Sequence, residues 1–196
     1  MKIVGVGCGP GMLTESAITV IRSARLIVGS ERAINLVKSH ISRNAEVRII
    51  EDYSSLRQLP NDAIVLSTGD PMVSGLGYLG GEITPGISSI QLGAARTGIS
   101  LTNLFIITAH GRDHEKAIDD CCEMHVKGRK SCIIADPRFP VNTLASSLSR
   151  LSIPARIIIC ENLGYPDEKI HEGTAQNPPV PEGNIYILFV TNTEKS

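Results

Sequence analysis

The stretch that most constrains this chain is IVGVGCGPGMLT, Ile3 to Thr14, where an apolar strand runs directly into a turn built on Gly5, Gly7, Gly9 and Gly11. Four positions without a Cβ allow a tight strand-to-helix connection and let a ligand approach the main chain closely. In open α/β sheets such loops lie at the carboxyl ends of buried strands, where small molecules bind. The nicotinamide fingerprint GxGxxG fits neither frame: counted from Gly5 its last glycine falls on Pro10, and counted from Gly7 it falls on Met12. Pro10 also removes an amide that a pyrophosphate would use. The loop predicts a ligand and leaves its identity open.

The elements beyond the loop set the fold class. A helix capped by Thr14 or Ser16 carries Ala17, Ile18, Val20, Ile21 and Ala24 on one face, then RLIVGS (25–30) reads as a strand, 31–39 as a helix and EVRII (46–50) as a strand. AIVLS (63–67) is almost wholly apolar, as a central parallel strand should be. This order predicts a parallel sheet with right-handed crossovers. MVSGLGYLGG (72–81) is glycine-rich and predicts at most a poor helix, whereas ISSIQLGAARTG from Ile87 predicts a good one that stops at Gly98. A strand at Leu104 to Thr108 then leads into the turn His110, Gly111 and Arg112, where a first domain is expected to end. The remainder repeats the theme with helices at 114–126 and 141–151 and strands at 132–135, 156–160, 169–174 and 185–190, the last two outside the alternation. The expectation is an α/β protein of two α/β/α domains, 1–110 and 111–196, the first sheet mostly parallel and the second mixed.

The 196 residues are 42% hydrophobic, enough for a sizeable core, and the net charge is -1, so electrostatic wrapping of nucleic acid or of an anionic membrane is not expected. Aromatics at 4% leave no platform for stacking bases. No apolar run approaches the roughly 20 residues of a membrane span, and the amino terminus enters a strand at once, which together suggest a cytoplasmic protein. Cys8, Cys121, Cys122, Cys132 and Cys160 are odd in number and contain no CxxC pair, so reduced, mostly buried thiols are expected. His110, His114, Cys121, Cys122 and His125 have metal-ligand chemistry but no zinc spacing, and no metal site is assigned.

Three turns flank apolar elements: GCGPG (7–11), TGDP (68–71) and PGISS (85–89). In a parallel sheet the first two share one edge, and the start of a helix presents amides and hydroxyls to that edge, so the three together would line one crevice. Taken singly, Asp70 reads equally as a turn cap, and Ser88 and Ser89 as helix caps.

VGVGCGPG, STGDP, TPGISSIQLGAARTG, the AHGR turn and ENLGYPDEKI together resemble the tetrapyrrole methylases over nearly the whole chain, the last two pointing to the carbon-5 methyltransferases of cobalamin biosynthesis. The resemblance implies a two-domain homodimer that binds S-adenosylmethionine as cofactor, folded in a cleft between domains, and methylates carbon 5 of a (cobalt-)precorrin-7. Carried over by position, cofactor contacts fall on Pro10, Asp70, Val73, Ser88 and Ser89, and in the second domain on Ala135 and Leu163. Relatives carry a GFYS-like stretch after GDP and a longer link to PGISS; this chain has MVSG. A decarboxylating methyltransferase fused to some relatives is expected to be a separate protein here.

The sulfonium donor is already activated, so a protein that uses it needs to orient two reactants and needs no nucleophile. That suits conspicuous glycines, serines and one aspartate. A polycarboxylate substrate calls for cations, and Arg112, Arg138 and His110, in turns after strands, are the candidates. No catalytic side chain is assigned; Glu161 at a strand end reads as a base or as an ion-pair partner. Two other readings are a nicotinamide oxidoreductase with Glu31 as the ribose acid, and a non-catalytic small-molecule sensor in which the MVSG stretch marks lost turnover.

Overall fold

The computed structural model describes residues 1–192, and the chain divides into two units, Met1–Leu92 and Gly93–Ser196. The first holds the strands β1 (Lys2–Gly5), β2 (Leu26–Gly29), β3 (Glu46–Ile49), β4 (Ile64–Ser67) and β5 (Glu82–Thr84), with helices α1 (Glu15–Arg22), α2 (Glu31–Val37) and the single turn α3 (Pro71–Ser74). Helix α4 (Ser89–Thr97) carries the chain onward. The second unit holds β6 (Leu104–Thr108), β7 (Lys130–Ile134), β8 (Ala155–Glu161), β9 (Lys169–Thr174) and β10 (Tyr186–Asn192), with α5 (His114–Val126) and α6 (Val141–Ser149).

The first sheet runs β3-β2-β4-β1-β5 and every pairing in it is parallel. Both faces are covered, which explains why LIVG and IVLS have no polar alternation. Val4, Ile27, Ile64 and Leu66 pack with Ala17 and Ile21 of α1 and Ala33 and Val37 of α2, while Ile3, Leu26, Val28 and Val65 pack on Leu56 across the other face. From β1 the chain crosses outward to β2, and from β4 it crosses the opposite way, past β1, to β5. The chain therefore leaves these two neighbouring strands in opposite directions over opposite faces of the sheet, the kind of switch point where open α/β sheets bind ligands.

The second sheet runs β6-β7-β10-β8-β9, with β6 parallel to β7 and the remaining pairs antiparallel. Because β7 and β8 both oppose β10, the ends of β6, β7 and β8 lie at one edge, beside the start of β10. Helices α5 and α6 cover one face through Ala117, Ile118, Cys121, Val141, Leu144 and Leu148. On the other face Gly93 of α4 lies against Phe189, Ile187 and Leu163, so closely that a Cβ there would stand 2.9 Å from the Phe189 ring.

The break at Leu92/Gly93 falls ahead of the 110/111 boundary expected from the sequence. LFIIT has the pattern of a parallel strand, and its partner is β7, so it opens the second sheet instead of closing the first. EIT, too short to announce itself, pairs with β1 as an edge strand. The glycine-rich stretch forms only α3 and a 3-10 turn, Leu76–Leu79, as its composition predicts.

Candidate active site

At the switch point the three turns of the first unit meet main chain against main chain. Gly7 and Gly69, both with positive φ, bridge each other: the Gly7 N–H donates to the Gly69 carbonyl at 3.2 Å, and the Gly69 N–H donates back at 2.7 Å. Asp70 joins the third turn. One carboxylate oxygen accepts from the Met72 N–H at 2.8 Å and caps α3, and the other accepts from the Gly86 N–H at 2.9 Å. The fit admits no side chain, since a Cβ on Gly5 would stand 2.5 Å from the Gly86 nitrogen and 2.9 Å from the Gly69 oxygen. Glycine at these positions is thus a packing requirement of the junction.

Each residue singled out in the first unit has a defined place. Pro10 is exposed at the loop tip and Gly11 beside it faces open space. Val73 is half-buried in α3, its N–H on the Asp70 carbonyl at 3.1 Å. Ser88 is buried and takes the capping role: its hydroxyl and N–H both donate to Gln91 Oε1, at 2.9 and 2.8 Å, and Gln91 N–H returns to the hydroxyl at 3.2 Å. This is a capping box. Ser89, half-buried, makes no side-chain hydrogen bond among the described residues. One contributor carries no signal in the sequence: Arg32 of α2 donates to the Cys8 carbonyl at 2.8 Å and so anchors the glycine loop from outside.

The second unit brings its candidates to the common edge of β6, β7 and β8. His110 is exposed, and its N–H joins that of Ala109 on the Ile134 carbonyl. Arg112 and Arg138 are exposed on two turns, and neither guanidinium makes an ion pair among the described residues. Between the turns lies Asp136, 5% exposed. It accepts from the Arg138 N–H at 2.8 Å, the Gly111 N–H at 3.4 Å and His114 Nε2 at 3.0 Å. Burial alone would raise its carboxyl, but these donors outweigh it and hold the group below the usual range, ionised.

Ala135 and Leu163 are buried at the ends of β7 and β8, Leu163 against Gly93. Glu161 is closed in, accepting from the Glu182 and Gly183 N–H groups at 2.6 and 3.1 Å, with His171 Nε2 3.6 Å away. Its ties are therefore structural. The ENLGYPDE segment is closed by Glu168, which accepts from the Gly164 N–H and from Arg96, both at 2.7 Å. Tyr186, opposite Glu161 in the register, is buried, and its hydroxyl has no hydrogen-bond partner among the described residues; burial, with Asp136 and Glu161 nearby, pushes it up to about 12. Cys121, wholly buried in α5, is likewise pushed up to about 12 by burial.

The junction of the three turns, built from main chain, one carboxylate and a capping box at the carboxyl ends of parallel strands, has the place in the fold where open α/β proteins hold a small molecule. Over residues 2–179 the chain matches the family model Tetrapyrrole (Corrin/Porphyrin) Methylases. It belongs to that family. A Methanocaldococcus jannaschii protein named "Probable cobalt-precorrin-7 C(5)-methyltransferase" is 33% identical over 188 residues, covering 84% of this chain and 85% of that one. The cobalt-precorrin-7 C(5)-methyltransferase of Salmonella typhimurium is 26% identical over 187 residues, covering 87% and 89%. Among solved structures, the precorrin-6Y methylase of Archaeoglobus fulgidus superposes with a TM-score of 0.75 at 30% identity, covering 99% of this chain and 98% of that one. The nicotinamide and sensor readings find no support in this membership, and Glu31, the expected ribose acid, is simply the exposed first residue of α2.

Proposed function

We propose that this protein transfers a methyl group from S-adenosylmethionine to carbon 5 of a precorrin-7 ring, with or without cobalt, in cobalamin biosynthesis. The observation that carries the proposal is the junction of the three turns, locked by Asp70 and the Gly7–Gly69 bridge. The donor, when bound, supplies a methyl group already activated on sulfur, so the chain has only to bind and orient. The residues present fit such a donor. Pro10 and Gly11 are exposed at the loop tip, and a Cβ on Gly11 would meet no atom within 4 Å, so a ligand can approach the main chain there.

In this reading Pro10, Val73 and Ser89 touch the donor, Asp70 and Ser88 hold the turns that do so, and Ala135 and Leu163 are the second unit's contribution. Asp70 acts through bracing, because both its oxygens already accept from main-chain N–H groups. Arg112 and Arg138, with His110, pair with the ring's carboxylates; a guanidinium fork matches a carboxylate in two parallel hydrogen bonds. We further propose a cytoplasmic homodimer: Phe105 and Ile106 are exposed on edge strand β6, and among the described residues no helix is long and apolar enough to cross a membrane.

The test is single-turnover incubation of the purified protein with S-adenosylmethionine and cobalt-precorrin-7. A product heavier by one methylene, with the methyl on carbon 5, supports the reading. Methylation elsewhere on the ring refutes the assignment to carbon 5, and no methylation with either the cobalt or the metal-free ring refutes the activity.

A further inference from the structure

Methylating a ring carbon that bears hydrogen leaves a proton to dispose of. The carbon's electron pair forms the new bond to the methyl group, the carbon–sulfur bond breaks with its pair returning to sulfur, and the ring is left cationic. Loss of the hydrogen on that carbon, as a proton, restores its conjugation. A base must accept it, and the sequence alone names none.

The second unit narrows the choice by chemistry and access. Glu161 is 1% exposed and committed to two main-chain donors. Tyr186 is a buried, neutral phenol. His171 stands 3.6 Å from the Glu161 carboxylate, outside hydrogen-bond range, and His125 is buried in the core. His114 differs from all of these. Its ring is partly exposed, 23%, with Nε2 3.0 Å from Asp136 and one edge against Phe139 at a centroid distance of 5.5 Å. An ionised Asp136 can only accept, so Nε2 carries the hydrogen and the lone pair sits on Nδ1, which has no partner among the described residues. The pair lies where the turn carrying Arg112 meets the turn carrying Arg138, and Asp136 directly follows Ala135.

We propose that His114 is the general base that takes the ring proton on Nδ1, and that Asp136 is the positioning residue that fixes its tautomer and faces the imidazolium that forms. The proposal rests on the methyltransferase reading above. A carboxylate behind an imidazole, with a reactant before it, is the arrangement by which a histidine is oriented for proton transfer. Around His114 stand Asp136 from the β7 turn, Tyr186 of β10 beside that carboxylate, Asp113 and Glu115 flanking His114 in sequence, and His110, Arg112 and Arg138 on the two turns.

The test compares wild type with His114→Ala, His114→Gln and Asp136→Asn, measuring kcat and KM for cobalt-precorrin-7, calorimetric affinity for S-adenosylhomocysteine, and rescue by added imidazole. Losing a general base lowers kcat by about 10²- to 10⁴-fold. That loss is expected in both His114 variants, with KM and S-adenosylhomocysteine affinity nearly unchanged, and imidazole is expected to restore turnover to His114→Ala. Asp136→Asn lowers kcat through the wrong tautomer and is not rescued. Wild-type kcat in His114→Gln overturns the proposal, as does a loss of kcat in His114→Ala that imidazole leaves untouched. Absence of product with the wild-type protein is seen before any variant is made, and it overturns the methyltransferase reading together with this one.

Discussion

Gly5→Ala probes the junction at the point where it has least room. The added methyl would lie 2.5 Å from the Gly86 nitrogen, 2.8 Å from its Cα and 2.9 Å from the Gly69 carbonyl oxygen, against the 3.4 to 4 Å of ordinary contact. All three obstacles are backbone, held by parallel pairing and by Asp70, so none can swing aside as a side-chain end would. Relief requires the turns to part by about 0.5 to 1 Å, and overpacking of that kind costs about 1–3 kcal/mol. Parting also stretches the Asp70–Gly86 bond, and a hydrogen bond to a charged group is worth about 1.5–3 kcal/mol. Together the loss is roughly 2.5–6 kcal/mol, and at about 2–4 °C per kcal/mol the melting temperature should fall by roughly 5 °C or more. Circular dichroism melts measure it. The control is Gly98→Ala, at positive φ but in open space, which loses only about 1 kcal/mol. Equal, small effects from the two substitutions would refute the claim that the turns are packed main chain to main chain.

The same geometry has other consequences. Ser88→Ala and Gln91→Ala each remove part of the capping box and should each cost about 1 kcal/mol in urea denaturation, with the double variant losing less than the sum because the two side chains bond each other. Asp136 has a folded-state carboxyl held below its unfolded value near 3.9. Its stabilisation is therefore present above that pH and drains away as pH falls through the lower folded value. The urea midpoint of the wild type should thus drop more steeply below about pH 4 than that of Asp136→Asn. Burial pushes the Cys121 and Cys160 thiols up to about 12 and Cys132 well above the ordinary range. Iodoacetamide at pH 8 should leave these three unlabelled in the native protein and label them in denaturant, read by peptide mass spectrometry.

Residues 26–29 and 64–67 read as strands of a parallel sheet because each is a short apolar run bounded by turn residues, and each is buried throughout. That the glycine loop, TGDP and PGISS share one edge is legible for the same reason, since parallel strands put the turns that follow them at one end of the sheet. The domain boundary is not legible, because LFIIT looks the same whether its partner precedes or follows it. Nor are the ties that hold the site: Asp70 to Gly86, Arg32 to Cys8 and His114 to Asp136 link residues far apart in sequence, and pairing at that range leaves no local periodicity. The Ser88–Gln91 box is the exception, since serine followed three residues later by glutamine is visible in the sequence as a helix start.

If the three turns, braced by Asp70, form the seat of the methyl donor, the brace must show in the donor's affinity. Isothermal titration with S-adenosylhomocysteine tests this most directly, comparing the wild type with Asp70→Ala at a temperature where circular dichroism shows both folded. Saturable, one-site binding is expected for the wild type and a loss of at least tenfold in affinity for the variant, since a tenfold change corresponds to about 1.4 kcal/mol and the lost brace is worth at least that much. Equal affinity in the two proteins, or no binding by the folded wild type, would contradict it.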